Sequence, residues 1–116
     1  INDTYGHACG DFVLKEISAL LKKYAGANDA FAARWGGEEF LMIFPQKEAA
    51  ETKKTAEAML DEIRSTDYSF DGNVIKVTLT FGIAESKAGE TADITVNRAD
   101  ELLYQGKENG RNRIVM

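Results

Sequence analysis

Two short apolar runs, Ala30 to Arg34 and Phe40 to Phe44, stand on either side of Trp35-Gly36-Gly37-Glu38-Glu39. Apolar runs around a glycine turn have the form of a β-hairpin, because glycine reaches positive φ without a steric cost and lets the chain reverse within a few residues. Pro45 ends the second run. Helical patterns flank this hairpin on both sides. Gly10-Asp11 opens a first one in which Val13, Ile17, Leu20, Leu21 and Tyr24 share a face and Lys15, Glu16, Lys22 and Lys23 take the other, with Asp11 as N-cap and Gly26 as stop. Ala49, Ala56, Met59, Leu60 and Ile63 mark a second helix from Lys47 to about Ser65.

Asp71-Gly72 is a turn signal, and Ile75, Val77, Leu79, Phe81 and Ile83 then alternate with more polar neighbours at the period of a strand. Val96, Ala99, Leu102, Leu103 and Gly106 carry a third helix that closes at Asn109-Gly110, and Asn112 to Met116 suit a final strand. The order is helix, hairpin, helix, strand, helix, strand. That order predicts an α+β sheet with helices packed on it, which one more strand before the first helix would complete as a βαββαβ unit. Ile1-Asn2-Asp3-Thr4-Tyr5-Gly6 reads as a connection already in progress, so the missing strand is expected from sequence upstream.

The chain has 116 residues, 44% of them hydrophobic, enough for one domain around a single core. A net charge of −5 argues against sequence-independent binding to nucleic acid, which rests on cations neutralising phosphates. It leaves room for a small phosphorylated ligand held by a few local cations. Apolar runs fall far short of the roughly 20 residues that span a bilayer, and no signal peptide precedes the first helix, so this domain is expected to be cytoplasmic without inserting into a membrane, whether or not its parent protein is anchored in one. Cys9 is the one cysteine and His7 the one histidine, too few for a disulfide, a zinc site or a nucleophile paired with a base, and both are read as structural.

Chemistry concentrates at Gly36-Gly37-Glu38-Glu39-Phe40, where two glycines clear space beside two carboxylates. Carboxylate oxygens suit hard cations such as Mg²⁺, and bare backbone admits a ligand closely; an ordinary solvated turn accounts for the spacing as well. Lys107 and Arg111 bracket Glu108-Asn109-Gly110 at the end of the third helix, where cations grip phosphate oxygens or simply complement the helix dipole. Asn2 and Asp11 flank the loop before the first helix and could read a guanine edge, or serve as turn and cap residues. Phosphate-cradling loops of the Gly-x-x-x-x-Gly-Lys and Gly-x-Gly-x-x-Gly types are absent.

Taken in order, Ile1-Asn2-Asp3-Thr4-Tyr5-Gly6-His7 with Gly10-Asp11, Arg34 to Phe40, Phe81-Gly82-Ile83-Ala84, Ala99-Asp100, Leu103-Tyr104 and Lys107 through Arg113 resemble the GGDEF family of bacterial diguanylate cyclases over the whole chain. The resemblance implies a ferredoxin-like, palm-type α-β plait related to nucleotidyl cyclases. It also implies a signalling enzyme that condenses two GTP into the second messenger cyclic di-GMP and two pyrophosphates at a homodimer interface, with Mg²⁺, or Mn²⁺ in its place, as cofactor. By the same resemblance Asn2 and Asp11 match guanine readers, and Gly36 and Gly37 match the glycines that close over the nucleotide. Glu38 matches the metal-binding carboxylate, Glu39 a second metal ligand or a helper in deprotonating the 3′-hydroxyl, and Lys107 and Arg111 the cations on the β- and γ-phosphates. Glu38 stands where the family name has Asp, a change that keeps the carboxylate.

Two departures follow. The partner metal-binding Asp of the family sits on a strand expected upstream of Ile1, so residues 1–116 alone carry half a metal site and could by themselves be inactive. The Arg-x-x-Asp motif that many relatives use for product inhibition is replaced by Ala27 and Ala30, with Asp29 one place out of register; no inhibitory site is expected. Sensing is expected in a domain upstream. The competing readings are a non-catalytic GGDEF module that binds GTP or cyclic di-GMP, disfavoured by the intact motifs, and a structural dimerisation module, which leaves the coincidence of motifs unexplained.

Overall fold

A computed structural model describes residues 7–36 and 39–116, with backbone only at 7, 35 and 36. The described residues up to Gln46, together with Thr66–Val77, form one compact unit; Lys47–Ser65 with Thr78–Met116 form another.

In the first unit, α1 spans His7–Ala27. Cys9, Val13, Ile17, Leu21 and Ala25 are all buried. They recur every four residues, so they stack on one helical face; burying each of the larger aliphatic ones stabilises the fold by about 1.5–3 kcal/mol. Leu20 and Tyr24, expected on that face, lie at its half-buried edge. The helix begins earlier than the sequence suggests. Asp11 is therefore inside it and exposed, not its N-cap, and Gly26 is an exposed helical residue, not the stop. Termination falls to Asn28 and Asp29. The Asn28 side-chain amide donates to the Tyr24 carbonyl (2.8 Å), the Ala30 N–H to the Ala25 carbonyl (2.8 Å), and Asp29 turns the chain with φ +53°.

Strands β1 (Phe31–Gly36) and β2 (Glu39–Ile43) make the expected hairpin, antiparallel from Phe31↔Ile43 to Arg34↔Phe40 and then Gly36↔Glu39. Trp35 has no partner in this register, which makes it the extra residue of a β-bulge. Helix α1 packs on both strands. A second hairpin, not expected, joins β3 (Tyr68–Phe70) to β4 (Asn73–Ile75). Asp71 and Gly72 both have positive φ, +51° and +79°, the signature of a type I′ turn. It is held to α1 partly through Phe12 and Phe70, whose ring centroids lie 5.3 Å apart.

The alternating segment expected as one strand from Ile75 to Ile83 is divided: Ile75 ends β4, residues 76–80 pair with no strand among the described residues, and Phe81–Gly82 form β5. Its alternation is real in burial, since Ile75, Val77 and Ile83 are buried, but the chain passes from one unit to the other between Val77 and Thr78.

In the second unit, α2 (Ala49–Ser65) buries Ala56, Met59, Leu60 and Ile63, the face its periodicity predicts. Glu85 caps its start, accepting the Ala49 N–H at 2.7 Å. Helix α3 (Ala92–Glu108) is capped by Thr91, whose hydroxyl accepts the Ile94 N–H, and ends at Asn109 as expected. It is the crossover between β5 and the parallel strand β6 (Ile114–Val115), a connection that parallel pairing requires. The last strand is shorter than expected because Arg111 and Asn112 have φ of +62° and +51°, which no strand can include. None of the described helices is long and apolar enough to cross a membrane.

Candidate functional site

The site residues expected from sequence divide between the two units. In the first, the bulge at Trp35 sits immediately before the hairpin tip, and the strand pairing resumes with Gly36 opposite Glu39. Bulges bend a strand and re-aim the residues that follow, a device common beside ligand sites. Glu39 is half-buried at the root of the tip. Asp11 projects from the second turn of α1, the helix that carries this hairpin on its packed face. Asn2, Gly37 and Glu38 lie outside the described residues. Among the described residues, no three His, Cys, Asp or Glu side chains gather into a metal site. Glu39 contributes one carboxylate, an oxygen donor of the kind Mg²⁺ takes, so the described part of the tip is compatible with that ion.

In the second unit, Lys107 is half-buried in the last turn of α3 and Arg111 is exposed four residues on. Their side chains have no hydrogen-bond or ion-pair partner among the described residues. This sets Arg111 apart from the other arginines of the unit. Arg64 donates to Asn112, Arg98 to the Glu85 carbonyl (2.9 Å) and to the Glu90 carboxylate, and Arg113 to the Arg111 carbonyl (3.0 Å). An uncommitted guanidinium and an uncommitted ammonium at one helix end are groups that can hold phosphate oxygens in charge-assisted hydrogen bonds.

Backbone geometry at this helix end is unusual. Gly110, Arg111 and Asn112 have φ of +113°, +62° and +51°, three left-handed residues in succession. Two bonds close the helix before them: the Asn109 N–H donates to the Gln105 carbonyl (3.0 Å) and the Arg111 N–H to the Gly106 carbonyl (2.9 Å). Gly106 is buried and lets the last turns of α3 approach Thr80 and Val115 of β6 closely.

Sequence reasoning missed the residues that hold this turn. Asn112 accepts from Arg64 Nε at 2.7 Å through Oδ1 and from Arg64 Nη2 at 3.1 Å through its carbonyl, while its N–H donates to the Thr80 hydroxyl at 3.0 Å. The available signal was asparagine two places after Gly110, since both tolerate positive φ. Arg64, by contrast, reads as one more exposed charge on α2.

Ala27 closes α1, exposed, and Ala30 is half-buried at the entry to β1. Neither carries a group that binds a charged ligand. Asp29 between them is exposed.

Residues 1–113 match the family model described as diguanylate cyclase, GGDEF domain. The chain is 39% identical over 117 residues to diguanylate cyclase A of Treponema denticola, covering all of this chain and 31% of that protein, so it spans about a third of that relative. Among solved structures it is similar to the GGDEF domain of DgcB from Caulobacter crescentus in complex with c-di-GMP, with a TM-score of 0.92, 38% identity, and coverage of 98% of this chain and 68% of that one. It is also similar to the active GGEEF domain of a diguanylate cyclase from Vibrio cholerae, with a TM-score of 0.87, 28% identity, and coverage of 99% and 72%.

Proposed function

Because the chain belongs to the GGDEF diguanylate cyclase family, we propose that it condenses two molecules of GTP into cyclic di-GMP, working as a homodimer with one GTP per subunit. Its α+β, palm-like fold is that of the GGDEF domains of known structure. The observation that carries the reading is the bulged hairpin whose ladder resumes with Gly36 opposite Glu39, inside a chain that follows the family from residue 1 to residue 113.

In this reading, each 3′-hydroxyl attacks the α-phosphate of the GTP on the other subunit. A phosphodiester bond forms and the bond to pyrophosphate breaks, twice per product. Glu38 and Glu39 would hold Mg²⁺, or Mn²⁺ in its place, together with a carboxylate from upstream sequence; when bound, the ion polarises the phosphoryl oxygens and offsets charge developing in the displacement. Glu39 is either the second ligand or the acceptor of the 3′-hydroxyl proton. Asn2 and Asp11 read the guanine edge, and the glycine pair lets backbone close over the nucleotide. Lys107 and Arg111 grip the β- and γ-phosphates, a role supported by their uncommitted side chains. A relative with the GGEEF signature described as active supports Glu38 as a competent replacement for aspartate.

The test is cyclic di-GMP formation from GTP and Mg²⁺ by the full-length protein, beside Glu38→Ala. Product that disappears in the variant is the expected result. No product from a folded, dimeric protein that still binds GTP would favour a regulatory module in place of an enzyme.

A further inference from the structure

We infer that Arg64 is a positioning residue for nucleotide triphosphate recognition, acting through Asn112 to set the direction of Arg111. The inference rests on the phosphate role of Arg111 proposed above. Its observations are local to one unit.

Arg64 lies in the last turn of α2 and is oriented from behind by Asp61, one turn earlier, at 3.3 Å. Its guanidinium then spans Asn112, donating to the side-chain oxygen and to the carbonyl of the same residue. Two donors in a fixed planar fork define an orientation as well as a distance, which a single ammonium cannot do. With the Thr80 hydroxyl taking the Asn112 N–H, every hydrogen-bonding face of that residue but its amide nitrogen is engaged. The hold falls on a residue at φ +51°, directly after Arg111 at φ +62°. Arginine has no intrinsic preference for the left-handed region, so neighbouring contacts must keep it there. The Arg111 N–H and carbonyl are tied to Gly106 and Arg113, and its side chain alone is unconstrained. Backbone so fixed aims the guanidinium. Without Arg64, residues 110–112 are free to relax toward ordinary φ, which swings the Arg111 side chain away from the position its phosphate partner needs.

A purely structural Arg64 would support α2 and β6, and its loss would weaken all nucleotides alike. A positioning Arg64 acts only where Arg111 acts. Binding to the full-length protein is therefore measured by calorimetry for GMP, GDP and a GTP analogue with a methylene between the α- and β-phosphorus, which cannot release pyrophosphate. These three are compared in the wild type, Arg64→Ala, Arg111→Ala and the double variant. Arg64→Ala is expected to weaken the triphosphate about tenfold, the scale of one charge-assisted contact, and GMP less than twofold. In the Arg111→Ala background, Arg64→Ala is expected to have no further effect.

An Arg64 effect that persists in the Arg111→Ala background, or that falls equally on GMP, overturns the inference while leaving the phosphate reading intact. If Arg111→Ala itself binds the triphosphate as the wild type does, the phosphate reading falls and takes the inference with it. Should Arg64→Ala fail to fold by circular dichroism, Arg64→Lys serves in its place. It keeps the charge and the stem but not the fork, and the same loss for the triphosphate alone is expected.

Discussion

Gly82 of β5 meets the backbone of α3 so closely that a Cβ there would overlap the Ala99 carbonyl oxygen and lie 2.5 Å from the Leu103 nitrogen. The strand and its crossover helix are thus in direct backbone contact, and the depth at which α3 sits depends on a missing side chain.

Gly82→Ala is expected to destabilise the protein by about 3 kcal/mol, because the clash is with helix backbone that cannot step aside. Gly106→Ala is the informative partner. A Cβ at Gly106 would meet Thr80 Cγ2 at 2.7 Å and Val115 Cγ2 at 3.2 Å, both side-chain methyls. These can shift, and alanine gains about 1 kcal/mol over glycine within a helix. Urea unfolding should place Gly106→Ala between the wild type and Gly82→Ala. The reverse order would show that the strand, not the helix, yields.

Elements with a strong period are legible in the sequence itself. The stripe from Val13 to Leu21, the face of α2 and the hairpin around Gly36-Gly37 could all be read from residue spacing, because one-sided burial imposes its period on sequence. The β3–β4 hairpin is not legible in this way, since three-residue strands such as Tyr68–Phe70 are too short to show a period. The division of the segment after Ile75 was hidden for a different reason: a chain can alternate in burial without pairing as a ladder. Lys107 and Arg111 stood out by type and position, but spacing alone could not separate phosphate binding from helix-dipole complementation. The Arg64 to Asn112 contact joins residues 48 apart in sequence, and no local pattern encodes it.

Acid stability should depend on Glu90. Its carboxylate accepts from Arg98 and from the Lys87 N–H, and these hydrogen bonds, that from Arg98 foremost, hold its carboxyl below the usual carboxylate range. A group whose pKa is lowered by folding stabilises the native state fully above its unfolded-state pKa, about 4.3 for glutamate, and loses that contribution as pH falls through the lower folded value. Glu90→Gln keeps the shape and removes the charge. Thermal unfolding across pH should show the variant less stable than the wild type at pH 7, the gap closing once the pH drops below the ordinary glutamate range. A gap that is constant with pH would assign the effect to packing and not to charge.

Feedback by product is the remaining expectation that separates this chain from many of its relatives. The end of α1 and the start of β1 present Ala27 and Ala30 where an arginine and an aspartate would be needed to bind the product's guanines and phosphates, and Asp29 points from a left-handed turn without an arginine at Ala27 to pair with. Two methyl groups offer neither donors nor charge, so on the proposed function inhibition by cyclic di-GMP is expected only through competition for the GTP site. Initial rates measured over a matrix of GTP and added cyclic di-GMP should therefore show inhibition that saturating GTP abolishes, with an unchanged limiting rate. Equilibrium dialysis gives a second readout: Asn2→Ala with Asp11→Ala, which removes the proposed guanine contacts, should abolish binding of cyclic di-GMP. A limiting rate that falls with product, or tight binding that survives the double substitution, would reveal a separate inhibitory site built from other residues.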